Sequence, residues 1–129
     1  MLLENKYYKI IGIDKDADGQ SAVFHVAILP DCDVYRGHFP GNPVCPGACN
    51  IELIKECAML LTGSKLRISA IKQCRLTALA TPALCRELDV TIQASPTYVG
   101  FLIVARIADA ENTYVEYKGD MEPDEECLQ

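Results

Sequence analysis

His38 and Glu52 stand fourteen positions apart, joined by a proline-rich stretch that runs straight into an apolar segment. Imidazole titrates nearest neutrality of any side chain, so His38 can take or give a proton at physiological pH. A glutamate buried among hydrocarbon is pushed toward its protonated form and can donate. The pair therefore offers one base and one acid to a single substrate. Each residue also has a structural reading: Glu52 can pair with Lys55, three positions on, and a loop histidine can bind a carbonyl.

The elements that must position this pair are legible around it. Pro30, Pro40, Gly41, Pro43 and Pro46 exclude a helix interior or a central strand, so Pro30 to Pro46 reads as a long ordered loop carrying His38. From Gly47 to Thr62 there is no internal Gly or Pro. Ala48, Ile51, Leu53, Ile54, Ala58, Met59 and Leu61 cover much of the circumference, which predicts a buried helix begun after Pro46 and stopped by Gly63. Before it, Lys6 to Asp14 and Gln20 to Leu29 read as strands around the turn sequence DKDADG. After it, Leu66 to Leu76, Leu88 to Ser95, Val99 to Ala108 and Tyr114 to Lys118 read as four more. One central helix with about six strands predicts an α+β domain in which a strongly curved antiparallel sheet wraps the helix. Its open edge, paired with that of a second copy, predicts a homodimer or a higher even oligomer.

Composition narrows the function classes. The 129 residues suit one domain, with half of them apolar. We expect that domain at residues 1–119, followed by a flexible acidic tail at 120–129, where DMEPDEE holds five acids and no base. Glu4 and Lys6 interrupt the opening residues, which read as a strand and not as a secretion signal. No apolar run is long enough to span a membrane, so the expectation is a soluble cytoplasmic protein. The seven cysteines show no CxxC spacing and are expected to be reduced. Cys45 and Cys49 near His38 lack the paired spacing of a structural zinc site, so they read as packing residues; no metal or cofactor is expected. His25, on a strand face with Val23 and Ala27, reads as structural. Lys65, Arg67, Lys72, Arg75 and Arg86 form a stretch without acids, either a solvated rim or a docking patch for an acidic partner. Nucleic acid is excluded by the chain's net charge of -6 and the missing aromatic interleaving.

The stretch HFPGNPVCPGACNIE resembles the hot-dog-fold dehydratases that act on 3-hydroxyacyl chains carried on acyl carrier protein. His38, Phe39, Pro40, Pro43, Val44, Pro46, Gly47 and Glu52 match that family's pattern, and a strand ending at Arg75 with Pro82 beyond it extends the similarity more weakly. The resemblance implies a hot-dog fold and dehydration to the trans-2-enoyl thioester, in fatty acid or related acyl synthesis. It implies His38 as the base at C2, Glu52 as the acid at the C3 hydroxyl, and a site shared between two subunits. Phe39, Pro40, Val44 and Pro46 would then form the pocket loop. The helix start places the backbone N–H groups of Gly47 and Ala48 as donors to the thioester oxygen. Glu in place of Asp is similar to the branch that only dehydrates. Thr77 and Ala78 replace the family's paired basic residues, leaving Lys72 and Arg75 as the carrier-docking candidates, and Glu56 replaces its usual Gln. A hot-dog thioesterase and a catalytically silent acyl-binding or partner subunit are the alternatives.

Overall fold

Asp16 and Gly19 close the first hairpin. The Asp16 N–H donates to the Ser21 carbonyl at 2.9 Å, the Gly19 N–H donates to the Asp16 carbonyl at 3.0 Å, and Gly19 takes φ 73°, a conformation glycine adopts without a Cβ clash. This turn joins β1 (Tyr8–Lys15) to β2 (Ser21–Ile28). The computed structural model describes residues 8–28, 47–76 and 87–124. His38, Phe39, Pro40, Val44, Pro46, Thr77, Ala78 and Arg86 lie outside the described residues.

The helix α1 (Gly47–Thr62) has the predicted bounds. Gly63 ends it at φ 69°, its N–H donating to the Met59 carbonyl at 2.9 Å, while the Thr62 hydroxyl donates to the Ala58 carbonyl. Four strands follow: β3 (Leu66–Leu76), β4 (Glu87–Pro96), β5 (Phe101–Ala108) and β6 (Thr113–Pro123). All six form one antiparallel sheet in the order β1-β2-β4-β5-β6-β3. The helix touches β2 and β4 and also β3, at the far end of that order, so the sheet must curl around it. Alternation sorts the strands: Phe24, Val26, Val90, Ile92, Ile103, Ile107, Val115 and Met121 face the helix residues Leu53, Ile54, Cys57, Ala58 and Leu61 in one buried core.

One expectation fails here. Asp120 to Pro123 do not begin a flexible tail; they are the last residues of β6, in register with Leu66 to Ala70 of β3. The acids alternate with apolar or small residues. Gly119 and Met121 are buried, so Asp120 and Glu122 turn outward to meet the cations of β3, and a charge run becomes an ordinary amphipathic strand.

Candidate active site

The start of α1 is one half of the candidate site. The first turn of a helix leaves backbone N–H groups without intrahelical acceptors, at its positive end. Gly47 and Ala48 lie in that turn, and no acidic side chain occupies it. An anionic oxygen placed there would meet donors with no competing carboxylate of the turn itself.

Glu52 follows within the next turn, but the structure corrects its environment. It is not sunk in hydrocarbon: its carboxylate accepts from the Lys55 ammonium at 3.2 Å, each side chain 23% exposed. The cause is helical phase. Asn50, Leu53, Ile54, Cys57, Ala58 and Leu61 define the buried stripe, and Glu52 lies on the side of the helix opposite to it. Glu56 is instead fully buried, and it accepts a hydrogen bond from the Tyr8 hydroxyl at 2.9 Å. Tyr8 is fully buried as well, and nothing in the sequence paired a residue of the first strand with one 48 positions later.

The basic stretch is folded against β6. Lys72 lies 3.6 Å from Asp120, Arg75 lies 3.8 Å from Glu116 and Arg67 lies 3.8 Å from Glu122. A patch without acids in the sequence is thus offset by acids from the neighbouring strand, and Lys72 and Arg75 are not free cations. Arg106 and Lys118 are exposed with no ion pair among the described residues, and they line an outer-face groove of about 390 Å³ with Gln73, Thr91, Gln93 and Val104. Among the described residues no group of three His, Cys, Asp or Glu is placed to hold a metal, and no helix is long and apolar enough to cross a membrane.

His25 sits away from this helix face, on the outer surface of the sheet. Its Nδ1 lies 2.6 Å from Asp89 on β4 and its Nε2 lies 2.8 Å from Asp14 on β1. Gly12 stands opposite it in register, and a Cβ there would reach the imidazole at 3.4 Å, so glycine leaves the ring its space.

A six-stranded antiparallel sheet curled around one central helix is the hot-dog arrangement. The same architecture is found in a chain of the dehydratase heterocomplex ApeI:P from Xenorhabdus doucetiae, with TM-score 0.76 and 23% identity over 88% of this chain and 96% of that one. An uncharacterized protein from Erwinia carotovora subsp. atroseptica shares the fold at TM-score 0.68 and 14% identity, over 90% of this chain and 96% of its own. The ApeI-like family model, for ApeI dehydratase, matches residues 14–118, and the chain belongs to this dehydratase family. Curated relatives include the 3-hydroxyacyl-(acyl-carrier-protein) dehydratases FabZ of Lactobacillus helveticus, 28% identical over 77% of this chain and 73% of that protein, and of Lactiplantibacillus plantarum, 27% identical over 77% and 74%. The resemblance read from His38 to Glu52 is borne out at the level of family and fold.

Proposed function

We propose that this chain dehydrates a 3-hydroxyacyl thioester carried on acyl carrier protein, giving the trans-2-enoyl thioester. The observation that carries this reading is a single helix bearing both a first turn free of acidic side chains and, just behind it, the Glu52 carboxyl, in a chain of the dehydratase family. The thioester oxygen takes the N–H groups of Gly47 and Ala48, which stabilise the negative charge that develops as the C2 proton leaves. His38 removes that proton. Glu52 protonates the C3 hydroxyl as the carbon–oxygen bond breaks, and water departs. Each positioned proton transfer is worth about 10²- to 10⁴-fold in rate. Lys55 must release Glu52 for this step, which a partly exposed lysine on a flexible stem can do.

A second reading, the catalytically silent partner subunit, is favoured by one observation: in the single chain the Glu52 carboxylate is already engaged by Lys55. Intact-mass analysis of a 3-hydroxyacyl carrier incubated with the protein separates the possibilities. Loss of the mass of water supports dehydration, loss of the acyl group indicates a thioesterase, and an unchanged carrier indicates the silent subunit. His38→Ala and Glu52→Gln should each lower turnover by about 10²- to 10⁴-fold, and their combination by little more, since the two act as one unit. Near-normal turnover by Glu52→Gln would remove Glu52 from the acid role.

A further inference from the structure

The outer face of the sheet carries charge that the mechanism above leaves unused. Arg106 on β5 and Lys118 on β6 are exposed, and they line the groove of about 390 Å³ together with Gln73, Thr91, Gln93 and Val104. Register makes the two cations diagonal neighbours, since Arg106 stands opposite Glu116 and Lys118 is two residues further along β6. Their Cα atoms are then roughly 7–8 Å apart.

The acids around the groove do not answer these charges. Glu116 lies 3.8 Å from Arg75, Asp120 lies 3.6 Å from Lys72, and Asp89 lies 2.6 Å from His25. These three carboxylates are matched with cations outside the groove, while Arg106 and Lys118 have no ion pair among the described residues. In a chain of net charge -6 they form a local excess of positive charge on an acidic molecule. Val104 stands opposite Lys118 and is 41% exposed, an apolar seat beside both charges. Gln73 on β3 and Gln93 on β4 add amide groups that donate and accept. Exposed, spaced charges around an apolar seat suit a protein surface and not a single small ion. Carboxylates one turn apart on a helix, with an apolar side chain on the same face, match this spacing within the reach of the two long cationic side chains.

Resting on the dehydratase reading, we propose that this groove is the docking surface for the carrier protein that delivers the thioester, and that it takes a helix of the carrier with carboxylates against Arg106 and Lys118 and an apolar side chain against Val104. Helix α1 and the core occupy the other face of the sheet, so a carrier seated here leaves the first turn of α1 clear. Docking then falls not to Lys72 and Arg75, already engaged with Asp120 and Glu116, but to the two cations of the neighbouring strands.

The test is titration of purified acyl carrier protein, free of its acyl chain, onto the full-length chain, with kinetics as the second readout. Arg106→Glu combined with Lys118→Glu should weaken carrier binding by about tenfold or more and flatten its dependence on salt. Lys9→Glu combined with Lys15→Glu, at two exposed cations of the edge strand β1, makes the same change in net charge and should leave binding near that of the parent chain. With a 3-hydroxyacyl carrier as substrate the groove pair should raise KM and spare kcat, whereas a short thioester of the same acyl group, without carrier, should be turned over as by the parent chain. Arg106→Gln combined with Lys118→Gln should give the same pattern in smaller measure, which keeps the outcome decisive if the double reversal fails to fold. Carrier bound through the groove without turnover would defeat the dehydratase reading and leave the docking surface standing. Three results would overturn the docking surface: carrier affinity indifferent to both groove pairs, equal losses in the groove and β1 pairs, or a parent chain that does not bind the carrier.

Discussion

Both ring nitrogens of His25 face carboxylates, Asp89 at 2.6 Å and Asp14 at 2.8 Å. A neutral imidazole has one donor and one acceptor, and a carboxylate only accepts, so the geometry asks for the doubly protonated ring. Hydrogen bonding to Asp14 foremost, then to Asp89, accordingly raises the pKa of His25, with desolvation acting the other way. A raised folded-state pKa gives a contribution to stability that is complete below the unfolded value and lost as pH climbs through the folded one. Between about pH 6 and about pH 9 the thermal midpoint of the parent chain should therefore fall more than that of His25→Gln, measured by circular dichroism at fixed ionic strength. Parallel curves would show that the two aspartates do not hold a charged ring. Much at this scale was legible only where partners are close in sequence. Lys55 beside Glu52 was readable at i+3, whereas Asp14, Asp89 and Tyr8 reach their partners through strand pairing set by the whole sheet.

At the scale of elements, the helix was readable to the residue because prolines precede it and a glycine with positive φ follows it. The end of β6 was not, since a count of charges hid the alternation of Gly119 and Met121 with Asp120 and Glu122. Gly119 explains why this pairing is tight. A Cβ there would stand 2.5 Å from the Ala70 carbonyl oxygen and 2.8 Å from the Tyr117 hydroxyl, which is buried without a hydrogen-bond partner among the described residues. Gly119→Ala must push β3 away or displace Tyr117, and overpacking of this kind costs about 1–3 kcal/mol. The loss should be visible as a lower urea midpoint. An unchanged midpoint would mean that β3 yields freely, as a loosely held edge would. Gly19→Ala offers a contrast, because nothing lies within 4 Å of the added methyl and only the turn conformation resists it.

For the whole molecule, the surface that points beyond the single chain is that of β3. From Ser69 to Arg75 every side chain is exposed on both faces, Ile71 among them, and among the described residues the strand pairs only with β6. An edge of this length invites pairing with a second copy. Mixed His38→Ala and Glu52→Gln chains should then regain part of the dehydration activity after subunit exchange, if each site takes one residue from each copy; no recovery after verified exchange would place both in one chain. Composition and periodicity could anticipate an exposed edge but not which strand supplies it, because β3 pairs with the last strand and not with its neighbours in sequence. That topology has a consequence in time. As the chain emerges from the ribosome, β1 and β2 can pair at once, but β3 and the helix behind it must wait for β6, several dozen residues later, before that side of the curled sheet is complete. Through that interval the apolar flank of α1 is uncovered on the β3 side, and the nascent chain is most exposed to chaperones, and to the β3 edges of other copies still being made.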